Sequence, residues 1–158
     1  MARTSDVEGV ERIIAAPPEK IVAILTDPGR HREFDGSGTV RDVRGDTVRL
    51  TRGDRFTMSM RVGVPYAMVN TVIEYQENRR IAWQTRGPTP LGRFVAGRIW
   101  RYELEPVERG TLVRESWDIS REFALTKPLI RSVGAATRRN MASTLAHLDR
   151  IVCGQRTR

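Results

Sequence analysis

Arg98, Trp100, Tyr102 and Leu104 recur at every second position, the spacing that places side chains on one face of a β-strand. A turn within Pro106 to Thr111 sets Leu104 opposite Val113, Tyr102 opposite Glu115 and Trp100 opposite Trp117. Arg98, Tyr102 and Glu115 then become neighbours with the chemistry for acid–base work, Glu115 as a general base and Arg98 or Tyr102 stabilising an enolate. The same groups also suit an internal network in which Tyr102 or Arg98 satisfies a buried Glu115, because an unpartnered buried polar group costs about 1–3 kcal/mol. Both readings stand on these residues, and substitution separates them.

The face extends through two more turns. A hairpin loop at Gln76 to Arg79 sets position 72 opposite 83 and 70 opposite 85, so Met68, Asn70 and Val72 join Trp83. A turn at Val62 to Val64 adds Phe56, Met58 and Met60, with Tyr66 at the margin. Methionine adapts to irregular apolar shapes and aromatic rings offer flat faces, so the set suits a cavity for a hydrophobic or ring-shaped molecule as well as a packed core.

Other chemistries lack their residues. His31 and His147 are the only histidines and form no H-x-x-x-H or H-E-x-x-H spacing, so no metal is expected. No G-x-S-x-G nucleophile elbow occurs, and Gly36-Ser37-Gly38 lacks the third glycine of a dinucleotide loop, so no cofactor is expected either. Arg-Gly-Asp at 44–46 and 52–54 reads as turn glycine. Cys153 is the only cysteine, which excludes an intramolecular disulfide, and it has no evident activating partner.

The elements that must position these residues follow from the change of period. Val7 to Ile14 reads as a strand, Pro17-Pro18 opens a helix with Ile21, Val22, Ile24 and Leu25 on its apolar face, and Asp27-Pro28-Gly29 stops it. A short helical turn over Arg30 to Phe34 precedes the Gly36-Ser37-Gly38 break. Strands are expected near 38–44, 54–62, 66–75, 80–86, 96–105 and 111–119, with a mobile loop at Gly87 to Gly92. Ile130, Val133, Thr137, Met141, Leu145, Leu148 and Val152 then mark one face of a helix of about seven turns from Pro128, capped by Gly154. That helix alone is long enough to cover the sheet, and Val133, Thr137 and Met141 are expected to close the cavity from its side. The expected fold is α+β: a curved antiparallel sheet of about seven strands wrapped around a long C-terminal helix, with two short helices between strands 1 and 2.

With 158 residues and 39% hydrophobic content, the chain fits one domain, expected over 1–154 with a basic tail at 155–158. The net charge of +8 divides unevenly: 19 basic against 17 acidic residues up to position 118, but 8 against 2 in the last forty. Lys127, Arg131, Arg138, Arg139 and Arg150 avoid the helix's apolar stripe, and no groove-entering motif or stacking platform accompanies them. A regulatory or nucleic-acid-contacting role is therefore the weakest of three functional readings. No stretch approaches the roughly 20 apolar residues of a membrane span, and Met1 to Asp6 lacks a signal-peptide core, so a cytoplasmic protein is expected. The opposite strand face, with Val69, Ile73 and Tyr75, permits either a monomer or a homodimer.

Val10 to Ile21, Asp27-Pro28, Asn78 to Trp83, Trp100 to Pro106, and Gly110 to Val113 with Glu115 together resemble the helix-grip, START-like (SRPBCC) superfamily, and within it the polyketide cyclase/dehydrase-like proteins of bacteria. The family commonly carries a tryptophan near the end of the first helix, where this chain has Phe34. The resemblance implies a cavity between sheet and helix that takes a lipid, polyketide or aromatic molecule. Its members include cyclases, hydrolases and carriers, so binding and cyclase, aromatase or dehydratase activity are both open.

Overall fold

The computed structural model describes residues 5–44, 49–87 and 96–154. Seven strands form one sheet: β1 (Val7–Ile14), β2 (Val40–Arg44), β3 (Arg55–Val62), β4 (Val64–Gln76), β5 (Arg80–Arg86), β6 (Ala96–Val107) and β7 (Gly110–Asp118). All neighbours are antiparallel and the order is β1-β7-β6-β5-β4-β3-β2. The chain therefore runs as a meander from β2 to β7, and β1 closes the far edge beside β7. The expected loop at Gly87 to Gly92 falls, after Gly87, outside the described residues, as does the tail at 155–158.

The turns set the register that the sequence implies. Val72 lies opposite Trp83 and Asn70 opposite Thr85, and Leu104, Tyr102 and Trp100 face Val113, Glu115 and Trp117. Met58 pairs with Met68 across the β3–β4 hairpin, which turns on Gly63 at φ 74°. Asn78, at φ 56°, supplies the left-handed position between β4 and β5, a conformation asparagine tolerates better than most residues. One irregularity was not foreseen. A bulge between Val72 and Glu74 makes Tyr75 the partner of Ile81 and turns it against the main core, away from the outer face expected for it.

Among the described residues four helices complete the fold: α1 (Pro18–Leu25), α2 (His31–Phe34), α3 (Lys127–Arg131) and α4 (Gly134–Gly154). Proline occupies the first turn of α1, where its missing N–H costs nothing, and Ile21, Val22, Ile24 and Leu25 are buried. A 3₁₀ turn at Pro28–Arg30 links α1 to α2, capped by Asp27, whose Oδ1 accepts from the Gly29 N–H at 3.0 Å.

The C-terminal helix differs from the single one expected from Pro128. It breaks between α3 and α4, because Ser132-Val133-Gly134 is poor helix-forming sequence and the Ser132 hydroxyl bonds back to the Leu129 carbonyl at 2.6 Å. Beyond the break, α4 buries Met141, Thr144, Leu145, Leu148 and Val152, packs on β1 and β7, and touches α1 and α2. It thus covers one end of the sheet and leaves a gap over β3 to β6.

Gly36 holds that gap at a fixed width. Its N–H donates to Thr144 Oγ1 at 3.0 Å, and a Cβ there would lie 2.3 Å from the Asn140 carbonyl oxygen and 2.5 Å from the Thr144 nitrogen. Gly36→Ala is expected to push α2 from α4 and lower stability by about 1–3 kcal/mol, read as a fall in the urea midpoint.

Candidate functional site

A cavity of about 220 Å³ lies between the inner face of the sheet, α2 with the chain that follows it, and the first half of α4. Met58, Met60, Met68, Asn70, Trp83, Arg98, Trp100, Tyr102, Glu115, Thr137 and Met141, all expected to face a ligand, line it. Four of the chain's five methionines are in that set. Phe56 and Val72 share the face but are buried in the main core, while Trp117 packs with Ile119 and Met141. None of the three is a lining residue. Val133 lies at the break before α4, 50% exposed, and also stands outside the lining.

The lining also holds a residue not expected there, His31. His31 is fully enclosed, its ring stacked on Trp83 at 5.2 Å and set edge-on to Phe56 at 5.0 Å. Nε2 lies 2.8 Å from the carbonyl oxygen of Leu25, the last residue of α1. A carbonyl only accepts, so Nε2 carries the proton and Nδ1 presents a lone pair. Burial lowers the imidazole pKa to about 4, against a raising effect of the Leu25 bond, so the ring is neutral at physiological pH. Nδ1 is buried and has no hydrogen-bond partner among the described residues. The sequence signal was the Asp27-Pro28-Gly29 turn followed by His31 and Phe34 at i, i+3, one inward face of a short helix.

Beyond Trp83 the aromatic floor continues to Tyr102, at 5.5 Å, whose hydroxyl donates to Glu115 Oε1 at 2.8 Å. This is the internal contact foreseen for the pair. Burial pushes the Glu115 carboxyl up to about 8; the Tyr102 bond opposes that and the negative charge of Asp35 adds to it. Burial likewise raises the Tyr102 phenol well above its ordinary value, with the Glu115 charge adding to the effect. Glu115 Oε2 is buried and has no hydrogen-bond partner among the described residues. Arg98 does not supply a counter-charge: its Nε donates to Glu122 Oε1 at 2.8 Å, and the Glu122 side chain is fully buried. Asn70 is committed too, its Oδ1 accepting from Thr85 Oγ1 at 2.7 Å.

The site is thus a largely apolar chamber with His31 and Glu115 among its lining residues. A protonated Glu115 is a hydrogen-bond donor or a general acid at neutral pH, and a poor base. Phe34, Val40 and Tyr66 add apolar wall, while Ser37, Thr39, Asn140 and Thr144 add polar atoms along the cover. Among the described residues no three His, Cys, Asp or Glu side chains converge to hold a metal ion, and no helix is long and apolar enough to cross a membrane. Lys127 and Arg131 both pair with Asp6, which ties part of the basic C-terminal region to the chain's start. The Cys153 thiol donates to Asp149 Oδ1 at 3.2 Å.

A curved antiparallel sheet closed by a C-terminal helix, with an apolar chamber between them, is the helix-grip architecture, a fold that binds hydrophobic ligands. It is shared with protein NE0264 from Nitrosomonas europaea, at a TM-score of 0.71 over 96% of this chain and 97% of that one, with 16% identity. Protein MLL2253 from Mesorhizobium loti matches at 0.69 over 96% and 98%, with 18% identity. At such identities the likeness is one of fold. The model of the family described as polyketide cyclase / dehydrase and lipid transport matches residues 8–152, and the chain belongs to that family. An uncharacterized protein of Mycobacterium tuberculosis, Rv0088, is 36% identical over 107 residues, which are 66% of this chain and 44% of that protein.

Proposed function

We propose that the chain binds one small, largely apolar molecule in the chamber between the sheet and α4, with affinity supplied by its removal from water. The observation that carries this reading is the lining: four methionines and the Trp83 and Trp100 rings around a space of about 220 Å³. Apolar walls with a few fixed polar atoms are the usual composition of a small-molecule site. The volume lies just below the roughly 300–1,000 Å³ of sites for drug-sized ligands, which favours one or two rings or a short acyl chain over a long polyketide or a two-chain lipid. A neutral fluorescent dye such as N-phenyl-1-naphthylamine is expected to bind with one saturable site. Met58→Trp, which fills the chamber from β3, is expected to weaken dye binding tenfold or more while leaving the urea midpoint near that of the parent. Equal dye binding by both proteins would contradict the reading.

One observation favours an enzyme as the second reading: a protonated, buried carboxyl with Oε2 unpartnered beside the chamber is suited to act as a general acid. In a dehydratase or cyclase-type reaction Glu115 would protonate a leaving hydroxyl, in place of the base role expected from the sequence. Turnover of a poly-β-ketone mimic that is lost in Glu115→Gln and kept in a surface variant such as Arg139→Gln supports that reading.

A further inference from the structure

Apolar side chains scattered singly over a surface need no explanation, but here they gather. Among the described residues, seven of the eight large exposed apolar side chains lie at one end of the sheet, Ile13 being the exception. Val64 and Tyr66 open β4 after its turn from β3, and Val7 opens β1 opposite Asp118, the last residue of β7. Phe123, Leu125, Leu129 and Val133 occupy the chain that runs from there to α4. Leu125, Leu129 and Val133 stand four residues apart, the spacing of one helical face, and α3 buries none of its own residues. Leu125 is 83% and Leu129 75% exposed although the segment is fixed in place. Lys127 Nζ donates to the Ser120 carbonyl at 2.8 Å, Arg131 pairs with Asp6, and Ile130 packs on the cluster of Trp117, Ile119 and Met141.

Charge follows the same end. Its carboxylates are occupied: Asp6 by Lys127 and Arg131, Glu8 by Arg138, Glu122 by Arg98, and Asp118 by the Ser120 N–H. Arg61 and Arg86, near the ends of β3 and β5, are exposed and form no ion pair among the described residues, so this end carries a cationic excess. The chamber reaches the surface here too, since Tyr66 both lines it and is exposed, and the lining residue Thr137 donates its N–H to the Val133 carbonyl at 2.9 Å. We infer that this end of the protein docks on an anionic lipid surface, with Leu125 and Leu129 entering the acyl boundary and the cations meeting the headgroups. Aliphatic side chains held this far out on a fixed segment suit a fluid phase, which closes around them without a shaped partner. Docked in this way, the protein turns the mouth of the chamber to the lipid, so an apolar molecule enters without crossing water. The docking stands on surface residues and does not require the chamber to be a ligand site.

Co-sedimentation of the full chain with vesicles tests this, using phosphatidylcholine alone and phosphatidylcholine with an equal part of phosphatidylglycerol. The mixed vesicles are expected to bind at least about tenfold more tightly, and the advantage to fall as salt is raised. Leu125→Ser/Leu129→Ser is expected to lower that affinity at least about tenfold with the urea midpoint unchanged. Ile13→Ser, exposed at the other end of the sheet, should bind as the parent does. Met58→Trp separates docking from uptake of a lipid molecule into the chamber: vesicle binding kept while dye binding falls supports the surface, and loss of both overturns the proposal. Equal affinity for the two kinds of vesicle, or equal binding by the double variant and the parent, would overturn it as well. So would a dimer in sedimentation velocity that the double variant returns to monomer, which assigns the patch to a second copy. Binding to poly-glutamate in place of vesicles would assign it to an acidic protein partner and overturn the lipid reading.

Discussion

Replacing Trp83 with alanine is expected to destabilise the protein by about 3–5 kcal/mol, a large part of the roughly 5–15 kcal/mol that holds a domain of this kind folded. The indole is 4% exposed and touches both sides of the site: His31 stacked at 5.2 Å, Phe56 edge-on at 5.4 Å and Tyr102 at 5.5 Å. Its loss removes buried area and aromatic contacts together and opens a cavity that the surrounding strands, fixed by their register, cannot collapse into. Urea unfolding measures the cost, and Trp83→Phe should recover much of it. A cost below about 1 kcal/mol for the alanine variant would show that the aromatic floor is not the packed unit described here.

The second large effect is on pH. Glu115 holds a proton in the folded state up to about pH 8, whereas an unfolded glutamic acid loses it near 4.5, so raising the pH between those values favours unfolding. His31 works in the opposite sense. Folded, it stays neutral down to about pH 4, while unfolded it takes a proton below 6.5, so raising the pH from 4 to 6.5 favours folding. From 4.5 to 6.5 the two slopes, each about 1.4 kcal/mol per pH unit, cancel. Above 6.5 only Glu115 is left, and stability is expected to fall by about 2 kcal/mol by pH 8. Burial sets both values; around Glu115 the Tyr102 bond opposes it and the Asp35 charge adds to it, and near His31 the Leu25 carbonyl and Asp27 oppose it. Glu115→Gln should flatten the profile above pH 6.5 and, with His31 acting alone, turn the flat stretch from 4.5 to 6.5 into a rise with pH. Parallel falls in the parent and Glu115→Gln over that window would show that Glu115 is not the group responsible.

Much of the fold was legible because a strand's period of 2 and a short turn together fix which residues oppose one another. The pairs Val72 with Trp83, Tyr102 with Glu115 and Trp100 with Trp117 required only hairpin positions and alternation. What alternation does not encode is depth along the strand. Phe56 and Val72 point the same way as Met58 and Met68, yet the first two are buried in the main core and the others line the chamber. The helix period likewise ran past the break at Ser132–Val133, because apolar spacing carries no information about a serine hydroxyl competing for a backbone carbonyl. His31 was hidden for a related reason. Histidine usually lies at intermediate burial, and only the position of the Leu25 carbonyl, a tertiary fact, makes this one a buried neutral acceptor. The Arg98–Glu122 pair spans the β6–β7 hairpin, but Glu122 lies past the end of β7, where alternation no longer gives a register, so Arg98 was grouped with Glu115 when it belongs to Glu122.

The central claim, that the chamber is a site for a small uncharged molecule, is tested most directly by its own methionines. With the methyl groups of Met58, Met60, Met68 and Met141 labelled with carbon-13, titration with 1-tetralone should shift all four NMR signals along saturable curves that share one Kd. The same titration of Met58→Trp should leave the remaining three nearly unmoved. Four signals that stay fixed at ligand concentrations where the compound is fully soluble would contradict the account, whatever the fold is shared with.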